Sequence, residues 1–213
     1  IWLSYNLIMK KIFVTGIGTD VGKTVISAIL AEALQADYWK PVQTGSFFST
    51  DSEIVRRYIT NTKTFIHPEA YILKQNMSPH AAAELEGKKI VLENINLPHT
   101  TNSLIIEGAG GLMVPLNDNE FMVDIILKTQ AEVVLVIQNY LGSINHSILT
   151  IDALRYRKIN VFGIVFNGPP HQLSEDILLS YSNIPCVGRL NKESVINKEV
   201  VLAYANLFRS NFI

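Results

Sequence analysis

Residues 16–24 read Gly16-Ile17-Gly18-Thr19-Asp20-Val21-Gly22-Lys23-Thr24, a glycine-rich loop that ends in a lysine and a threonine. The apolar run Ile12-Phe13-Val14 precedes the loop, and a helical pattern follows it. This is the context of a phosphate-binding loop, whose backbone amides and helix N-terminus face a polyphosphate. Lys23 is expected to approach the β- and γ-phosphates, and the Thr24 hydroxyl is expected to bind Mg²⁺. The loop therefore predicts a site for a nucleoside triphosphate.

Short apolar runs alternate with helical patterns along the rest of the chain. The predicted strands are residues 12–14, 37–42, 103–107, 133–138, 161–167 and 186–190. The predicted helices are residues 25–34, 51–59, about 120–130, 144–157, 172–182 and 194–209. Continuous Val, Ile and Leu strands separated by helices are typical of a parallel sheet covered on both faces. We therefore predict one α/β domain over residues 9–213, with residues 60–102 as an irregular excursion over the site.

Composition limits the possible functions. The 213 residues are 48% hydrophobic and 17% charged, which excludes a disordered chain. The formal net charge is −1 and no basic stripe occurs, so no nucleic-acid partner is expected. No window holds the roughly 20 apolar residues that span a bilayer, so no membrane partner is expected either. The single cysteine, Cys186, excludes an internal disulfide and is typical of a cytoplasmic protein.

The first eight residues stand apart from the α/β pattern. They are rich in apolar and aromatic side chains but lack the basic region and cleavage site of a signal peptide. Met9-Lys10-Lys11, followed by a strand pattern, is the expected start of the domain. We interpret residues 1–8 as an upstream extension.

Five segments in register carry a family resemblance. The first is the loop itself, which has five residues between Gly16 and Gly22 where the ordinary pattern has four. The other four are Lys40-Pro41-Val42-Gln43-Thr44-Gly45, Met77-Ser78-Pro79-His80, Glu107-Gly108-Ala109-Gly110-Gly111 and Gly142-Ser143-Ile144-Asn145-His146. Over residues 9–190 the chain resembles the ATP-dependent dethiobiotin synthetases. The resemblance implies a P-loop NTPase-like fold and a ligase of biotin biosynthesis that acts on 7,8-diaminopelargonic acid, CO₂ and ATP.

The resemblance also implies a set of site residues. Lys23 and Lys40 are the implied catalytic residues, and Thr24, Asp51 and Glu107 are the implied ligands of Mg²⁺. The implied ATP site comprises Thr19, Asp20, Val21, Gly22, Lys23, Thr24, Asp51, Glu107, Gly108, Ala109, Gly110, Asn167 and Gly168. The implied substrate site comprises Thr44, Gly142, Ser143, Ile144 and Asn145. A homodimer is expected, in which segment 142–145 serves the neighbouring subunit's site.

Each assignment has a simpler structural alternative. Asp51 is also a candidate N-cap for the helix that follows it. Thr44 and Asn167 also suit turns, and segment 142–145 also suits an ordinary helix start with Ser143 or Asn145 as its cap. At residues 190–192 the family tends to have a proline in a loop that contacts the base, whereas this chain has Asn191.

Three rival functions share the predicted architecture. A partition or septum-placement ATPase usually carries a second lysine early in the loop, and residues 16–22 contain none. An amidating enzyme of corrinoid synthesis usually needs an added glutamine-hydrolysing domain, for which 213 residues leave no room. A small-molecule kinase does not account for the segment that begins at Lys40. Hydrolysis of ATP in the absence of the diamine would favour the partition or septum-placement ATPase.

Overall fold

A seven-stranded parallel sheet forms the centre of the protein in the computed structural model, which describes residues 9–45 and 49–212. The strands are β1 (Lys11–Gly16), β2 (Asp37–Trp39), β3 (Val42–Thr44), β4 (Ile66–His67), β5 (Tyr71–Leu73), β6 (Leu104–Gly111), β7 (Glu132–Gln138), β8 (Val161–Asn167) and β9 (Cys186–Leu190). The helices are α1 (Lys23–Leu34), α2 (Asp51–Tyr58), α3 (Pro79–Leu85), α4 (Met122–Thr129), α5 (Ser143–Tyr156), α6 (Gln172–Ser182) and α7 (Lys198–Phe212). The upstream extension proposed for residues 1–8 lies outside the described residues.

The strand order in the large sheet is β4-β2-β6-β1-β7-β8-β9, with every neighbouring pair parallel. Strands β1 and β7 are apolar on both faces and almost wholly buried, as expected for strands with helices on either side. Since β1 is central, the phosphate-binding loop that follows it opens at the middle of the sheet edge. The predicted α/β class and parallel sheet are confirmed.

The predicted strand 37–42 is wrong as a single element. It ends at Trp39, and a second strand, β3, pairs in parallel with β5 in a separate two-stranded sheet. Pro41 has no N–H to donate to a ladder and restricts the preceding residue, so the chain leaves the main sheet there. Lys40 lies at this break, directly beyond the carboxyl end of β2.

Two further expectations about regular structure need correction. Residues 60–102 are not simply irregular, because they contain β4, β5 and α3. The last helix begins at Lys198 rather than at residue 194. Asn197 accounts for that start, since its side-chain oxygen accepts a hydrogen bond from the Val200 amide at 3.0 Å. Within residues 9–45 and 49–212, no helix has both the length and the apolar character needed to cross a membrane.

Candidate active site

The phosphate-binding loop has an unusual backbone conformation, and a side chain from β8 holds it in place. Asp20 and Gly22 have φ angles of 59° and 94°, in the left-handed region. The Asn167 amide donates a hydrogen bond of 2.9 Å to the Val21 carbonyl. A Cβ at position 22 would lie 2.3 Å from Asn167 Nδ2, so this position needs glycine for space as well as for φ. Asn167 therefore holds the loop in this conformation through its hydrogen bond to Val21.

Lys23 folds back across the loop that precedes it. Its ammonium donates to the Gly18 carbonyl at 2.9 Å, and the side chain is almost fully buried. Burial, together with the positive charge of Lys40, lowers the pKa of Lys23 to about 8. Such a charge is costly to hold without an anion nearby, which makes Lys23 suited to receive a phosphate group.

Three oxygen atoms meet beside the loop. Thr24 Oγ1 lies 3.0 Å from Asp51 Oδ1 and 2.9 Å from Glu107 Oε1. Because the hydroxyl has one proton, it can donate to only one of these carboxylate oxygens at a time. The cluster joins the start of α1, the start of α2 and β6, and it consists of the hard oxygen donors that Mg²⁺ prefers.

Lys40 lies against this cluster. Its ammonium donates hydrogen bonds to Glu107 Oε1 at 2.9 Å and to the Gly108 carbonyl at 3.0 Å, and it forms an ion pair with Asp51 Oδ2 at 2.7 Å. Burial alone would lower the pKa of Lys40, but the two carboxylates outweigh burial and raise it. Conversely, Lys40 is the main reason that the pKa of Asp51 is lowered despite its burial. Lys40 therefore stays charged at neutral pH.

The local structure around the two carboxylates differs from the sequence-based expectation. Thr50, not Asp51, caps α2, and Glu53 completes a capping box, so the N-cap interpretation of Asp51 is wrong. Asp51 is the first helical residue, and its side chain is free to face Lys40 and Thr24. Glu107 lies inside β6 rather than at its end, since the strand continues to Gly111 alongside the loop, where Gly16 is paired with Gly111.

A cavity of about 400 Å³ brings most of the predicted residues together. It is lined by Thr19, Asp20, Gly22, Lys23, Thr24, Val25, Lys40, Gln43, Thr44, Gly45, Ser49, Asp51, Asn76, Glu107, Ala109 and Gly110. Val21 is buried behind the loop, and Gly108 contributes the carbonyl that accepts from Lys40. A second cavity of about 380 Å³ shares Thr19 with the first and has mostly apolar walls, including Ile17, Leu112 and Val114.

Two groups of predicted residues lie outside the main cavity. Asn167, the last residue of β8, contacts the loop through the Val21 carbonyl, and Gly168 follows β8 and donates to the Leu190 carbonyl at 2.7 Å. Gly142, Ser143 and Ile144 line a separate cavity of about 370 Å³ at the start of α5, and Asn145 is exposed. Gly142, with φ 100°, is the N-cap of α5, so the suggested caps Ser143 and Asn145 are wrong. Within one chain, segment 142–145 does not line the phosphate cavity.

Two side chains that position Glu107 and Asp51 were not predicted from the sequence. The Tyr38 hydroxyl donates to Glu107 Oε2 at 2.9 Å. The Gln43 side-chain oxygen accepts from the Asp51 amide at 2.9 Å, while its nitrogen donates to the Thr44 carbonyl at 2.7 Å. Tyr38 lies two residues before Lys40, and residues two apart in a strand share a face. This spacing could have predicted that Tyr38 lies on the same side of the sheet as Lys40.

Known proteins with similar sequences indicate the family of this chain. Residues 10–200 match a protein-family model described as an AAA domain. The ATP-dependent dethiobiotin synthetase BioD of Cytophaga hutchinsonii is 55% identical over 198 residues, covering 92% of this chain and 96% of that protein. The enzyme of the same name from Christiangramia forsetii is 48% identical, covering 94% and 96%.

Solved structures of other ATPases share the fold. The cell division ATPase MinD of Pyrococcus furiosus superposes with a TM-score of 0.58 at 14% identity, covering 95% of this chain and 99% of that chain. A ParA family ATPase from Chlorobium tepidum gives 0.53 at 11% identity, covering 93% and 98%. At such identities the likeness extends to the P-loop NTPase fold alone, whereas the sequence matches span almost the whole chain at about half identity. The chain therefore belongs to the ATP-dependent dethiobiotin synthetase family.

Proposed function

We propose that this protein converts 7,8-diaminopelargonic acid, CO₂ and ATP to dethiobiotin, ADP and phosphate. One amine takes up CO₂ as a carbamate, and a carbamate oxygen then attacks the γ-phosphorus so that ADP leaves. The second amine attacks the carbonyl carbon of the mixed anhydride, and phosphate leaves as the ring closes. The observation that carries the proposal is the position of Lys40, buried between Asp51 and Glu107 in the same cavity as Lys23.

The two lysines have distinct roles in this reaction. Lys23 sits within the phosphate loop, where its charge offsets the negative charge of the transferring phosphoryl group. Lys40 lies on the far side of the oxygen cluster and attracts the carbamate toward that group. The Lys40 ammonium already contacts Asp51, Glu107 and the Gly108 carbonyl, so its positive charge is partly offset before a substrate anion approaches.

The charge balance of the cavity favours a bound metal ion. The positive charges of Lys23 and Lys40 are outnumbered by the carboxylates of Asp20, Asp51 and Glu107, which leaves no net positive charge for a triphosphate. Thr24, Asp51 and Glu107 would hold Mg²⁺. Adjacent ligands of an octahedral Mg²⁺ with bonds of about 2.1 Å are about 3.0 Å apart, and the oxygen spacings of 3.0 and 2.9 Å fit that requirement. When bound, Mg²⁺ neutralises the phosphate oxygens.

The neighbouring apolar cavity suits the rest of the substrate. The diamine carries a hydrocarbon chain that ends in a carboxylate, and this chain has to lie close to the phosphate site. The second cavity opens beside Thr19, which lines both spaces, and Ile17, Leu112 and Val114 offer apolar contact. The carboxylate then requires an anion site several carbons away from the phosphate loop.

A homodimer would supply that anion site. Segment 142–145 begins a helix of 14 residues, whose free amides and dipole favour an anion. Leu141, directly before it, is fully exposed, and Ile144, Leu149 and Tyr156 are exposed along the length of α5. An apolar surface of this kind is typical of an interface between subunits. We place the segment of one subunit at the substrate carboxylate of the other, and the enzyme in the cytoplasm, as a single cysteine favours.

The direct test is product formation. Purified protein is incubated with 7,8-diaminopelargonic acid, bicarbonate, Mg²⁺ and ATP, and dethiobiotin is measured by mass spectrometry. We expect product in amounts equal to the ADP formed. Lys198→Gln, which alters a surface lysine on α7, serves as the control for charge removal and should retain full turnover. ATP hydrolysis that does not depend on the diamine would refute the proposal and favour a switch ATPase.

Complementation tests the shared site. Lys23→Gln and Asn145→Asp each inactivate a different part of the composite site, the second by placing a negative charge near the substrate carboxylate. Mixed dimers then contain one intact site, so random exchange restores up to about a quarter of the activity if the site is shared. No recovery after demonstrated exchange would mean that each site is built within one chain.

A further inference from the structure

Tyr38 lies under the oxygen cluster without reaching the cavity itself. Its side chain is fully buried, and its hydroxyl donates to Glu107 Oε2 at 2.9 Å. Glu107 is also buried, at 1% exposure. Among the contacts of the described residues, the Tyr38 hydroxyl is the one side-chain donor to Oε2.

The strand register explains why a tyrosine is needed at this position. Tyr38 on β2 is paired with Ile105 on β6, so Glu107 projects from the same face two residues further along. Two residues of strand span about 6.6 Å. A tyrosine side chain is long enough to bridge that distance with its hydroxyl, whereas a serine or threonine is not.

The two oxygens of Glu107 consequently have separate partners. Oε1 faces Thr24 and Lys40 at 2.9 Å each, and Oε2 faces Tyr38. The terminal torsion of a glutamate is broad, so a carboxylate held at one oxygen alone can rotate. A donor at Oε2 fixes the plane of the group and thereby the direction in which Oε1 points.

We propose that Tyr38 is a positioning residue, which orients Glu107 so that Oε1 is presented to Mg²⁺ and to Lys40. This inference rests on the proposed role of Glu107 as a metal ligand. Partners that orient metal ligands from outside are commonly worth 10–100-fold in metal affinity. Tyr38 lies outside the segment that begins at Lys40, so the motif of that segment does not specify it.

The test measures metal binding rather than turnover alone. Mn²⁺ is titrated as a paramagnetic substitute for Mg²⁺ in the presence of a non-hydrolysable ATP analogue, and free Mn²⁺ is followed by electron paramagnetic resonance. Tyr38→Phe keeps the ring and removes the hydroxyl, and we expect it to weaken Mn²⁺ binding about 10-fold or more. Tyr204→Phe is the matched control, because it removes a hydroxyl that donates to Glu193 at 2.5 Å outside the cavity. It should bind Mn²⁺ as the parent does.

A double-variant cycle separates positioning from general stability. If Tyr38 acts through Glu107, Tyr38→Phe should change Mn²⁺ affinity by less than about twofold in a Glu107→Gln background. Replacement of Tyr38 by 4-aminophenylalanine keeps a donor at the same ring position and should restore most of the lost affinity. Urea unfolding of each variant verifies that it is folded under the titration conditions.

The outcomes distinguish an error about Tyr38 from an error about Glu107. Weak binding in Glu107→Gln with normal binding in Tyr38→Phe would overturn the role of Tyr38 and leave the proposed function intact. Normal binding in Glu107→Gln would remove Glu107 from the metal site, and the inference about Tyr38 would fall with it. Equal losses from Tyr38→Phe in both backgrounds would mean that the tyrosine acts on the fold and not through Glu107.

Discussion

Replacement of Lys23 by glutamine is expected to make the protein more stable and nearly inactive. Burial, with help from the charge of Lys40, lowers the pKa of Lys23 from 10.5 to about 8 in the folded protein. At 1.4 kcal/mol per pKa unit, this difference corresponds to about 3 kcal/mol of unfavourable free energy at pH 7. Glutamine carries no charge, so the variant does not have the cost of a buried ammonium at this position.

The sign of the pH dependence follows from proton binding in the two states. Below pH 8 both the folded and the unfolded chain hold the Lys23 proton, so the full cost is present. Between pH 8 and 10.5 only the unfolded chain holds it, so the parent protein gains stability as the pH rises. The advantage of Lys23→Gln should therefore shrink from about 3 kcal/mol at pH 7 to about 1.4 kcal/mol at pH 9.5.

Urea unfolding without nucleotide, at both pH values, measures this difference. Lys198→Gln is the control, because its side chain is exposed and its removal should leave the free energy of unfolding unchanged. Turnover of Lys23→Gln should fall on the order of 10²–10³, as for the loss of a donor that stabilises transition-state charge. A variant that is less stable than the parent at both pH values, or one with near-normal turnover, would refute the reasoning.

Three other changes test the remaining contacts. Lys40→Gln should lower the free energy of unfolding by about 3–5 kcal/mol because it leaves buried carboxylates unpaired, and urea unfolding should show Lys40→Arg to lose less. Asp51→Asn should raise the Mg²⁺ concentration needed for half-maximal turnover, since it removes an anionic ligand; an unchanged titration would exclude Asp51 from the metal site. Gly22→Ala should cost about 1–3 kcal/mol through its backbone angle and its contact with Asn167. Gly18→Ala, where a Cβ meets no atom within 4 Å, should by comparison be nearly neutral in thermal unfolding.

Local patterns were sufficient to predict the large sheet and the loop. The β1 strand and the phosphate-binding loop follow each other directly in the chain, so their relation needs no long-range information. The place of Glu107 on a strand was likewise predictable, because it directly follows the apolar run Leu104-Ile105-Ile106. The continuation of β6 beyond Glu107 could not be predicted, because glycines weaken a strand. In the structure, β6 nevertheless extends through Gly110 and Gly111 beside the loop.

The smaller elements depended on contacts that no local pattern carries. The pairing of β3 with β5 joins two three-residue strands that are far apart in the chain. Neither strand is long enough for an alternation of apolar and polar residues to be recognised. The Tyr38 hydroxyl finds its acceptor only through the register of β2 on β6. The place of segment 142–145 remains a prediction, because it depends on a second copy of the chain.

The central position of β1 has a consequence for protein synthesis. Its two neighbours are β6 and β7, and its first residue, Lys11, pairs with Leu104 at a separation of 93 residues. When the ribosome has released only the first third of the chain, this apolar strand has neither partner and the phosphate-binding loop has no support from β6 or β8. The nascent chain therefore exposes this apolar strand without a sheet partner until residues beyond 104 emerge. An N-terminal folding unit in which β1 is already paired cannot form before β6 has been synthesised, because both sheet neighbours of β1 follow it by many residues in the chain.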